Sequence, residues 1–268
     1  MTSKKAIKSL VNLYPGRFSS ELGIDLSSGG SREVFKWFLA SVLFGARISE
    51  NIVKKTFREF VSRKVVTPQT VLNTGWDGLV GILDQGGYVR YDFKTATKLL
   101  DMCRTLSENY RADLTNLHAT ATDPKDLEQR LKSLAKGIGD VTVNIFLREM
   151  RGIWEKADPL PSDLVVIAAK HRGIVPKIVK DRETVLEHLR EAWKKAGMKK
   201  KDFPDFEAAL VRAGRHITCR NTKLKPNEAG SVLLACLSRL ARGRSTLRSP
   251  LCAVCVSTSQ PSVNIFAM

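Results

Sequence analysis

Apolar residues recur along the chain at helical spacing. Phe35, Phe38, Leu39 and Val42 follow an i, i+3, i+4, i+7 pattern, as do Val143, Phe146, Leu147 and Met150, and again Phe206, Ala209, Leu210 and Ala213. Each set predicts one buried stripe on an amphipathic helix. Start signals stand ahead of such runs: Ser31, Ser49, Asp123 followed by Pro124, and Ser162 or Asp163 as alternative N-caps. No set of alternating strands is visible. The pattern predicts an all-α chain of about ten or eleven helices joined by mostly short turns.

One stretch interrupts this pattern: "SLAKGIGDVTVNIFLREMRGIW", residues 133–154, sets Gly137 and Gly139 between two helical runs. A glycine inside a helix costs about 1 kcal/mol relative to alanine, so the pair marks a turn. When a second helix starts directly after such a turn, its first backbone N–H groups have no helical partner and face outward. Glycine lets an anion approach them without a Cβ in the way, and Lys136 adds positive charge. The plainer alternative is a helix–turn–helix connection that binds nothing. Residues 31–154 form a dense helical run, whereas "EKADPLPSD" carries two prolines and predicts a domain edge near residue 156. Residues 229–268 hold no Asp or Glu, and 241–268 read as a basic, poorly ordered tail.

Charge narrows the partner. Across 268 residues, 44 Lys and Arg against 27 acids give a formal net charge of +17, which favours a polyanion, with nucleic acid ahead of an anionic membrane surface. The clusters Lys194-Lys195 and Lys199-Lys200-Lys201 read as solvated faces that add to this preference. No run is apolar enough for a membrane span, and the expectation is a monomer inside the cell, in cytoplasm, nucleoid or nucleus. Five scattered cysteines (103, 219, 236, 252 and 255) argue against a disulfide framework. His118, His171, His188 and His216 show neither metal-ligand spacing nor a nucleophile partner, so the expected metal content is none.

The hairpin "LAKGIGDVTVNIFL" resembles that of the helix-hairpin-helix DNA glycosylases, the superfamily of endonuclease III and 3-methyladenine DNA glycosylases. Gly137, Gly139, Thr142, Asn144 and Leu147 fall in register with the family pattern. Upstream, "GGYVRYDFKTATKLLDMCRTL" is similar to the family's Gly-Tyr helix start, with Gly87-Tyr88 before the turn and Lys94 opening the helix. Downstream, "LPSDLVVIAAKHRGI" places Asp163 22 residues after Val141, as the family places its aspartate. The resemblance covers residues 32–175.

This resemblance implies two helical domains with an intervening cleft: residues 32–155 ending in the hairpin, and residues 1–31 together with 156–240. It implies an enzyme of base excision repair that flips a damaged base out of duplex DNA and hydrolyses its N-glycosidic bond. Asp163 would be the catalytic carboxylate, stabilising positive charge on the sugar or activating water. Lys136, Gly137, Ile138, Gly139 and Thr142 would hold the DNA backbone, with a monovalent cation at the hairpin. Trp37, Phe44, Tyr88 and Trp154 are candidates for the base pocket, with core packing the alternative for the first three, and Arg47 in "FGARIS" is a candidate wedge.

Two departures shape the expected chemistry. Members that also cut the strand use a lysine where this chain has Val141, which cannot form a Schiff base. That implies a monofunctional enzyme, with a displaced lysine, Lys136 the nearest, as the alternative. The iron–sulfur cluster of many members needs four cysteines at close spacing, whereas Cys219, Cys236, Cys252 and Cys255 are separated by 16, 15 and 2 residues. The expectation is no cofactor, and lack of both cluster and lysine favours an alkylated purine as substrate. A DNA-binding protein that keeps the fold without catalysis is the other reading.

Overall fold

Short polar side chains open the helices of the computed structural model, which describes residues 4–223. After α1 (Lys4–Leu13) and the single turn α2 (Phe18–Glu21), α3 (Ser31–Phe44) runs through the middle of the molecule. Ser49 caps α4 (Glu50–Ser62) by accepting the Ile52 N–H, and Thr67 and Thr70 form a reciprocal box around the start of α5 (Pro68–Gly86). The left-handed Gly87 ends α5, and α6 (Asp92–Tyr110) packs back along it. Asp113 caps α7 (Leu114–Thr120), while Asp123 accepts two amides at the start of α8 (Pro124–Ser133). The remaining helices are α9 (Asp140–Met150), α10 (Asp163–His171), α11 (Arg182–Lys195) and α12 (Phe203–Lys223). Among the described residues the fold is all-helical, with a single isolated bridge between Arg151 and Trp154.

The predicted stripes are buried. Phe35, Phe38, Leu39 and Val42 of α3, Val143 to Met150 of α9, and Phe206 to Ala213 of α12 all face one continuous apolar core. The α3–α9 contact is its centre, where the rings of Phe38 and Phe146 meet edge to face at 4.9 Å and the Trp37 indole N–H donates to the Phe146 carbonyl at 3.1 Å. Residues 4–220 belong to one compact unit, and the proline-bearing connection at residue 156 runs within it. The tail at 241–268, which holds Cys252 and Cys255, lies outside the described residues, and so does Cys236.

One glycine contact positions the elements discussed next. On α12, Gly214 lies against the first turn of α10, so close that a Cβ there would fall on the Leu164 carbonyl. Gly214→Ala is expected to destabilise the fold by about 1–3 kcal/mol through overpacking, despite the gain of up to ~1 kcal/mol in helix propensity. Urea unfolding checks this, and a stabilised variant would mean that α10 can step back from α12 freely.

Candidate functional site

The turn between α8 and α9 is built as the glycine pair predicts. Gly137 takes a φ of 90°, in the left-handed region, and Gly139 occupies the N-cap of α9 with no side chain capping the helix. The first amides of α9 therefore point outward. Lys136, Gly137 and Gly139 are exposed, but Ile138 is not: its side chain is buried and its N–H donates to Ala135 O at 3.1 Å. Ile138 anchors the turn and has no free amide for a ligand. Thr142 is likewise buried, pressed against Gly45, where any Cβ would collide with its hydroxyl. Ile138 is corrected from a backbone-contact residue to a packing residue, whereas Thr142 packs through its side chain and keeps its N–H among the first amides of α9.

Beside the turn stands Lys98 of α6, a residue the sequence pattern did not single out. Its Cε lies about 3.1 Å from where a Gly137 Cβ would be, and burial pushes its amine below the ordinary lysine range. Asp140, in the first turn of α9, is paired with Lys132.

Asp163 is delivered to α9 by a pinned connection. The segment 158–162 contains two prolines, which remove backbone donors, and its carbonyls are taken one after another by side chains. Arg151 donates to Pro159 O, the Asn144 amide to Leu160 O at 2.6 Å, and Arg182 to Pro161 O at 2.9 Å. The same Arg182 donates to the Asp163 carboxylate at 2.6 Å, and both Arg151 and Arg190 pair with Asp158. What the sequence presents as a breaker is a strap held at three consecutive residues.

The strap sets Asp163 at the start of α10, opposite Val141 and Asn144 of α9, on the shared rim of two cavities of about 240 Å3 and about 420 Å3. Its side chain is 81% exposed. The smaller cavity runs inward along one face of α9, from Val141 through Asn144 to Arg148, and is closed by Phe18 of α2, Phe44 of α3, Arg215 of α12 and Ser162. Of the expected aromatic platforms, only Phe44 lines it. Trp37 is wholly buried in the core, and Tyr88 is buried with its hydroxyl donating to Leu43 O at 2.7 Å. Trp154 stacks on His118 at 4.6 Å and borders a different cavity. Trp37 and Tyr88 are corrected to structural residues, because they are wholly buried, while Trp154 lies away from this cavity. Arg47 is exposed on the α3–α4 turn, whose Gly45 touches α9.

Arg148 was missed, since a charge within the apolar run "NIFLREM" reads as a solvent-facing position. Its signal was its spacing, seven residues after Val141 and four after Asn144, on the same helical face. The side chain is 5% exposed, its Nε has no partner, and burial pushes the guanidinium below the usual arginine range. Its neighbour Glu149 is fully buried and accepts the Phe18 and Ser19 amides at 2.8 and 2.9 Å, tying α2 to α9.

No family model matches the chain, and no curated protein matches it. No cluster of three or more His, Cys, Asp or Glu suited to a metal occurs among the described residues, and none of their helices is long and apolar enough to cross a membrane.

Proposed function

We propose that the chain is a monofunctional DNA glycosylase of the helix-hairpin-helix kind, acting on a damaged base flipped out of duplex DNA into a cleft between two helical lobes. The observation that carries this reading is the placement of Asp163 by the strap on the rim of a cavity that also meets Val141 and Asn144 of the hairpin helix. A phosphate on the exposed amides of the α9 N-terminus would put a nucleotide beside that carboxylate. As the C1′–N bond breaks, the base leaves with the electron pair and positive charge builds on the sugar. Asp163 offsets that charge and takes a proton from the water whose oxygen bonds to C1′. Arg182 orients the carboxylate. Val141, at the lysine position of strand-cleaving relatives, offers no amine.

The test is single-turnover incubation with lesion-bearing duplexes, read before and after hot alkali. Breaks only after alkali are expected. Breaks without alkali, with borohydride trapping of the protein on DNA, would replace this reading with a lyase using a displaced lysine such as Lys136 or Lys98.

A second reading, a DNA-binding protein without catalysis, is favoured by one contact: Asp163 already has Arg182 as partner at 2.6 Å. Binding itself makes a prediction under either reading. Lys98→Met should weaken duplex affinity and reduce the slope of log K against log salt by about 1, the loss of one phosphate contact, without lowering stability. A phosphate would draw the burial-lowered Lys98 amine back up, so binding takes up a proton and weakens as pH rises through the alkaline range. Titration by fluorescence anisotropy at several salt concentrations checks the slope, and an unchanged slope would remove Lys98 from the interface.

A further inference from the structure

Resting on the glycosylase reading, we propose that the smaller cavity selects an uncharged base bearing a carbonyl oxygen, with Arg148 and Ser162 as the specificity-determining residues, and discriminates against cationic alkylated purines.

Two residues that line the cavity each hold a buried donor that nothing in the protein satisfies, the Arg148 Nε and the Ser162 Oγ. Leaving such groups unpaired is costly, more so for a charged one, and a ligand oxygen would recover that cost. Ser162 is the telling case. It sits at the N-cap of α10, where serine normally accepts a helix amide, yet its hydroxyl makes no cap bond and stays inside the cavity wall. At about 240 Å3, the space of roughly eight liquid waters, the cavity suits one small planar group.

Charge and aromatic surface both weigh against a cationic base. Arg148 and Arg215 line the cavity, each with one acid beside it, Glu149 at 3.8 Å from Arg148 and Glu50 paired with Arg215, and both acids have further partners, the α2 amides for Glu149 and Lys54 for Glu50, so no acid is left over for a cationic base. An alkylated purine owes its recognition to attraction between its positive charge and an electron-rich ring face. Here the Phe18 ring already serves three guanidinium groups, Arg212 at 4.2 Å, Arg148 at 5.2 Å and Arg215 at 5.7 Å. Asp163 lies on the rim and is shared with Arg182, so it does not neutralise the cavity interior. This selectivity departs from the alkylated-purine preference that the missing lysine and cluster suggested, and the experiment decides between the two.

The experiment compares excision from otherwise identical duplexes carrying uracil, hypoxanthine, 8-oxoguanine or 7-methylguanine. The last keeps a carbonyl but adds a positive charge. Release of an uncharged carbonyl base at least about tenfold faster than 7-methylguanine is expected, with Ser162→Ala lowering that release roughly tenfold and shrinking the ratio. Arg148→Lys, which keeps the charge but not the Nε donor, should shrink the ratio as well, with thermal melting reporting that it folds. Preferred release of 7-methylguanine, or a ratio unmoved in folded Ser162→Ala and Arg148→Lys, would overturn the selectivity and leave the glycosylase standing. No release from any duplex, with binding intact, would overturn both.

Discussion

Asp163→Asn should abolish base release, by about 10²- to 10⁴-fold, while leaving the protein folded and bound to duplex DNA. The substitution removes a charge and little else. Asparagine keeps an oxygen that can accept from Arg182, so the pinned geometry of the strap and the start of α10 survive. DNA affinity should hold or rise slightly, because a carboxylate exposed beside the proposed phosphate-binding turn would repel the backbone. Single-turnover excision read after alkali, paired with anisotropy titration, separates the two effects. Equal release by both proteins would take Asp163 out of the chemistry. Absence of release in the parent, with tight binding, would leave the non-catalytic reading in its place.

Why the place of Asp163 at a helix start was legible and its surroundings were not follows from which forces act locally. The helices could be read because burial imposes a period, and the three stripes on α3, α9 and α12 are buried along their length. The glycine turn was legible for a similar reason, since a φ of 90° at Gly137 suits little else. Aromatic residues mislead where local information ends. Trp37 and Tyr88 could serve a ligand or a core, and only the folded chain reveals that α9 covers one while the end of α3 takes the hydroxyl of the other. Arg148 and Arg182 depend on contacts between segments distant in sequence, so no pattern around either residue names its role. The strap inverts its own signal: prolines that mark a break also strip donors from the backbone and leave carbonyls for arginine and asparagine to hold.

Arg151→Met should be the most damaging single change to stability, costing about 3–5 kcal/mol. Arg151, at the end of α9, is 7% exposed; its Nε donates to Glu207 of α12 at 2.6 Å, and its other nitrogens hold Asp158 and Pro159 of the strap. Methionine fills similar space but leaves Glu207 as a buried carboxylate with its main partner gone. Burial already pushes Glu207 above the usual carboxylate range against the pull of Arg151, so the variant should push it higher still. The sign of the pH dependence follows. A folded-state pKa raised above the unfolded value penalises folding, and because the parent's Glu207 is itself raised, the charge-related deficit of the variant opens only as pH climbs past the parent's folded-state value and grows from there. Adding Glu207→Gln should recover much of the loss at neutral pH, since a neutral amide does not carry the cost of a buried charge. Thermal melts across pH, in which the single variant should fall by roughly 6–20 °C near neutrality, check both statements. An equal loss at every pH would point instead to the strap: Asp158 and Pro159 released from α9 would then be the main cost, and excision should fall with stability because Asp163 rides on that segment.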